Sequence, residues 1–132
     1  MIIPFIKIFV IAFILNFIWE ELHSRLYMHY KGRPITHAIL AYASSFDAFV
    51  TIIGALFFVY VPPFQGRLWL VLCGFLVFAI GLELFALHTK RWAYKPSMPI
   101  IPGLHVGLTP TIQLAFLAYL SYILAASPIT FP

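Results

Sequence analysis

Apolar residues run through this chain in four long blocks, and the polar residues collect mainly between them. The blocks cover about 2–22, 38–61, 68–88 and 107–126. A helix that crosses the hydrocarbon core of a bilayer, roughly 30 Å thick, needs about 20 mainly apolar residues. The pattern therefore predicts an all-α fold, a bundle of four transmembrane helices forming a single domain over 1–132. Pro62-Pro63 stops the second block, while Pro128 and Pro132 follow the fourth. No basic segment precedes the first block and no small-x-small site follows it, so it reads as a retained helix rather than a cleaved signal.

Composition strengthens this reading. Hydrophobic residues make up 63% of the chain and charged residues 9%, and the mean hydropathy is +1.00. A soluble domain carries roughly a quarter charged residues, so this chain lacks the groups to cover a globule with a wetted surface. The net charge of +4 comes from basic residues placed between apolar spans. They read as topology signals and lipid-headgroup contacts, and no nucleic-acid partner is expected. Cys73 is the single cysteine and has no internal disulfide partner.

The basic residues also set an orientation. Arg25, Lys31 and Arg33 lie in the first loop, and Lys90, Arg91 and Lys95 in the third. Only Arg67 and Lys7 stand on the other side, with Lys7 expected to snorkel to the interface. The positive-inside rule then places the chain in the inner (plasma) membrane with both termini outside the cytoplasm. The third loop carries Pro96, Pro99, Pro102, Gly103 and Gly107. It is expected to be irregular and to cover the cytoplasmic mouth of the bundle.

Acidic residues are few and fall within the spans. Glu20 ends the first, Asp47 lies about nine residues into the second, roughly 13 Å along its axis, and Glu83 lies near the end of the third. Gln113 enters the fourth from the same side. Asn16, Glu20, His23 and Tyr27 follow helical spacing and form one stripe. Small residues flank Asp47 and Glu83, as close helix approach requires. The three acids are thus expected to face one another in the cytoplasmic half.

Carboxyls gathered in low dielectric cannot all ionise, so at least one should hold a proton at neutral pH. A buried carboxylic acid can protonate an alkene, epoxide or carbonyl of a lipophilic substrate, and a neighbouring carboxylate can take the proton back. Trp19, Phe46, Trp92 and Tyr94 would stabilise a cation through their rings, although Trp19, Trp92 and Tyr94 also suit an interfacial aromatic belt. The same acids would serve equally as helix glue paired to His23, Arg25, His88 or Arg91, or as a proton or cation relay. Acid chemistry on membrane lipid leads these alternatives, which residues alone leave open. Glu20 and His23 form one Glu-x-x-His spacing without a second copy, so no metal and no cofactor is expected.

Two short patterns resemble a known family. Asn16-Phe17-Ile18-Trp19-Glu20 resembles the Asn-x-x-Trp-Glu element of integral membrane terpene cyclases. Glu83, then Trp92-Ala93-Tyr94-Lys95-Pro96, Gly103 and Pro110, resembles the lycopene-cyclase domain. There the last element continues into paired acids, whereas this chain has Gln113. Over the whole chain, the pattern is similar to small polytopic membrane proteins of bacteria. The resemblance implies a lycopene-cyclase-like fold and isoprenoid cyclase or isomerase chemistry. Glu20 and Glu83 fall on the family's acids, and with Asp47 from the depth pattern they form the expected catalytic set. Asn16, Trp19, His23, Trp92, Tyr94 and Gln113 would bind or orient the substrate. It also implies a partner chain, hence a homodimer, to close so small a site.

Overall fold

The computed structural model describes residues 2–127. Four helices dominate it: α1 Ile2–His23, α2 His37–Tyr60, α3 Leu68–His88 and α4 Leu108–Ala126. Each is long and apolar enough to cross a membrane, and the architecture is that of a multi-pass membrane protein. Helix ends fall within one residue of the apolar blocks, because the boundaries are chemical. Thr36 caps α2 by accepting from the Ile39 amide at 3.3 Å. Pro62 follows its last turn. Pro110 sits in the first turn of α4, where no amide donor is required. Pro128 and Pro132 lie outside the described residues.

The exterior is apolar and the interior partly polar, the reverse of a soluble bundle. Ile3, Ile6, Val10, Ile14 and Ile18 form an exposed stripe along α1, while Asn16, Ser44, Thr51 and Ser121 are fully buried. Lipid contact requires the first feature, and internal satisfaction of every polar group requires the second.

α1 packs between α2 and α4, and α3 packs on α4. α2 and α3 are joined by the short turn over residues 61–67, yet they touch sparsely. Near that turn Val71, Phe75, Leu114 and Ala118 form a buried core with Val50, Phe58 and Tyr122 packed against it. Towards the other end the two helices part, and a cavity opens between them.

Two short strands modify the all-α expectation. β1 (Tyr27–Tyr30) pairs antiparallel with β2 (Trp92–Tyr94), tying the first loop to the third. Residues 27–30 and 92–94 are rich in aromatics, which favour pleated backbone. The segments follow α1 and α3 at the same end of the bundle, so pairing them satisfies backbone groups that would otherwise face the headgroups. Lys90 leaves α3 in left-handed backbone (φ 57°), and the Arg91 amide returns to the Ala86 carbonyl at 2.8 Å. A bulge at Met28 shifts the register between Tyr27 and His29.

Candidate functional site

Gln113 is the hub of the buried polar groups. Its Nε2 lies 2.8 Å from Glu20 Oε1, 3.2 Å from Asn16 Oδ1 and 3.5 Å from Asp47 Oδ2. Asn16 is itself oriented by donating to the Ala12 carbonyl at 2.8 Å. An amide nitrogen carries two hydrogens, so three acceptors compete for two bonds. Asp47, the most distant, is the acceptor most readily released to a substrate.

Glu83 has its own ring of donors. Tyr94 donates to Oε2 in a short hydrogen bond, Trp92 Nε1 donates to the same oxygen at 3.2 Å, and Tyr27 donates to Oε1 at 3.4 Å. The Gly107 amide in turn donates to Tyr94 Oη at 3.0 Å, which fixes the phenol as a donor towards Glu83. Two of these three donors belong to the resemblance-derived set. Tyr27, read from sequence as the end of the stripe that begins at Asn16, is the third. Its pairing with β2 directs it inward, and that pairing was the missed signal. Burial raises the affinity of both phenols for their protons, reinforced by the Glu83 carboxyl, so Tyr27 and Tyr94 stay above the usual phenol range.

Glu20, Asp47, Glu83 and Gln113 all border one cavity of about 320 Å³. Phe46 and Tyr42 of α2 stand at its side with Leu82 of α3 opposite, and Tyr30 and Trp92 form its wall at the sheet. Tyr42 and Phe46 are exposed on the outer surface as well, so the cavity reaches the lipid-facing side between α2 and α3. Ring stacking of Tyr30 on Trp92, centroids 6.4 Å apart, holds that wall.

Two expected residues lie elsewhere. Trp19 and His23 point to the opposite side of α1, where they line a shallow depression with Leu22. His23 Nε2 bonds Thr109 Oγ1 at 2.6 Å, and Trp19 packs against Phe116 with centroids 6.4 Å apart. Residues i and i+3 or i+4 share a face only broadly, and the stripe from Asn16 to Tyr27 divides here between two sides. Glu20 turns to Gln113 and His23 to Thr109, so the Glu-x-x-His spacing does not converge on one point. Among the described residues, no group of three or more His, Cys, Asp or Glu side chains is placed to hold a metal ion.

The expected cover is also different. No residue of 96–107 borders the cavity; Tyr30, Lys31, Arg91 and Trp92 do. The proline-rich loop instead buries Met98 and Val106 and braces Tyr94 and the start of α4. Gly107 makes this bracing possible, because an added Cβ would lie 2.8 Å from Pro110 Cγ and 3.0 Å from Met98 Sδ.

No protein-family model, curated protein or solved structure matches the chain. The site is therefore interpreted from its own chemistry.

Proposed function

We propose that the chain is a membrane-embedded enzyme acting on an isoprenoid or other lipid by proton-initiated chemistry, cyclase- or isomerase-like, with its basic sheet end towards the cytoplasm. The observation that carries this reading is the convergence of Glu20, Asp47, Glu83 and Gln113 on one aromatic-walled cavity beside the lipid-facing gap. A lipophilic chain enters between α2 and α3 without crossing water. A carboxylic acid of the Glu20–Asp47 pair gives a proton to one alkene carbon, leaving a cation on its neighbour. The rings of Phe46, Tyr30 and Trp92 border that cation. Glu83 accepts a proton from an adjacent carbon and returns it to the Glu20–Asp47 pair across the shared cavity before the next turnover, so the product is an isomer and no co-reactant is consumed.

The other half of the bundle favours this over a relay. Thr51 and Ser121 donate to carbonyls of their own helices at 2.8 and 2.6 Å. Those hydroxyls are committed to backbone and offer the acids no onward path.

Membranes containing the chain, incubated with acyclic isoprenoids, should yield isomers of unchanged mass but altered retention. Glu20→Gln and Glu83→Gln should each lower conversion by about 100-fold or more, with thermal unfolding still cooperative. Wild-type conversion by both variants would remove the basis of the proposal.

A further inference from the structure

The cavity has a second chemical character at its mouth. Lys31 and Arg91 both border it, and both are exposed. The sheet brings them together: the Lys31 amide donates to the Arg91 carbonyl at 2.5 Å, one step beyond the Tyr30–Trp92 pair. Lys31 adopts left-handed backbone (φ 51°) beside Gly32 (φ 75°), so the chain turns back at this point and leaves the side chain at the rim. Its ammonium lies 5.4 Å from the centroid of the Tyr30 ring, and the Arg91 guanidinium lies 5.1 Å from that of Phe85. Among the described residues the salt bridge is between His37 and Glu21, and neither rim cation has a carboxylate partner. The mouth thus pairs two cations that lack a carboxylate partner with an apolar gap directly below.

We propose that the cavity binds an amphiphile with a phosphate monoester head, held by Lys31 and Arg91, and an isoprenoid chain lying in the gap between α2 and α3. The inference deepens the enzymatic reading above and rests on it for the nature of the chain. A guanidinium offers paired donors to phosphate oxygens, and an ammonium adds a point charge, so together they match a doubly charged head better than a single carboxylate. The head serves as an anchor and stays intact. Tyr30 stacks on Trp92, and Trp92 bonds Glu83. An anchored head therefore feeds the carbons nearest to it past two rings and onto the acids. A volume of about 320 Å³ is at the small end for a ligand pocket, so the remaining chain extends through the gap into lipid.

The test uses the full chain in nanodiscs of zwitterionic lipid, with tryptophan fluorescence titrated by farnesyl monophosphate, farnesol or inorganic phosphate. The monophosphate should bind about tenfold or more tightly than the alcohol. Inorganic phosphate at the same concentrations should neither bind nor compete. The double variant Lys31→Gln, Arg91→Gln should bind both prenyl compounds alike, and its exposed positions should leave the unfolding temperature unchanged. Equal affinity of the wild-type chain for phosphate and alcohol would overturn the inference. So would saturable binding of inorganic phosphate that displaces the monophosphate, since the site would then recognise a free anion. Failure of the enzymatic reading has a different signature: selective monophosphate binding with conversion untouched in Glu20→Gln and Glu83→Gln.

Discussion

The two ends of this bundle use their buried polar side chains in opposite ways. Near the turn joining α2 to α3, hydroxyls fold back on their own helices. Thr51 and Ser121 bond the carbonyls four residues before them, and Tyr122 donates across to the Thr51 carbonyl at 2.5 Å. Such groups ask nothing of a ligand, and the helices close on them. At the sheet end, Gln113 joins Glu20 and Asp47 to Asn16 across three helices, and Glu83 is held by aromatic donors from both strands. Side chains that depend on distant partners hold the helices apart, and a cavity remains. A polar residue in a membrane helix is thus informative through where its hydrogen bond goes, more than through its presence.

Substituting valine at each end should break the comparison most sharply. A Cβ at Gly54 would lie 2.2 Å from Phe75 Cζ and 2.6 Å from Tyr122 Oη. Phe75 is buried in the core and its ring has nowhere to move. Gly54→Val should therefore cost about 2–3 kcal/mol of stability, read as a lower unfolding temperature in detergent. Ala43 borders the cavity, so Ala43→Val meets open space. It should change stability by no more than about 0.5 kcal/mol while raising KM for the isoprenoid substrate. Equal destabilisation by both would mean that the sheet end is packed as tightly as the other.

The helices and their acids were legible in sequence because hydropathy and helical spacing are local properties. Glu20, Asp47, Glu83 and Gln113 were each assigned to the same end of the bundle by counting residues along a helix, and all four border one cavity. The β1–β2 pairing was not legible. It joins residues 27–30 to 92–94, and a pattern within either segment carries no information about the other. Tyr27 was missed for that reason. Trp19 and His23 were misplaced for another: at about 100° per residue, Trp19 lies about 100° and His23 about 60° round the helix from Glu20, enough to set both against α4 rather than the cavity.

A smaller effect should appear with pH at the sheet end. Burial and the Glu83 carboxyl raise the proton affinity of Tyr27 and Tyr94 in the folded chain. A raised folded value means that these phenols stabilise the fold fully below the ordinary phenol value of 10.0. That contribution is lost as pH rises above it, because the unfolded chain releases its phenolic protons first. Tyr94→Phe should flatten the alkaline limb of the stability profile and reduce conversion, because Glu83 loses a donor. An unchanged alkaline limb in this variant would show that the phenol–carboxyl contact does not form.

Lys7 should give the smallest effect, and it tests the claim that polar groups at the far end are structural. Its ammonium donates to the Ala125 carbonyl at 2.9 Å and the Ser127 carbonyl at 3.0 Å. These lie at and just beyond the last turn of α4, where carbonyls lack intrahelical partners and the helix dipole favours a cation. The contact ties the start of α1 to the end of α4, so Lys7→Met removes both the charge and the tie. The expected cost is about 0.5–1 kcal/mol. Lys7→Arg should recover most of it, because a guanidinium can reach the same oxygens. Conversion and monophosphate affinity should stay at wild-type values in both variants, since Lys7 sits at the opposite end from the acids. A loss of conversion in Lys7→Met without a change in unfolding temperature would show that the two ends share one function.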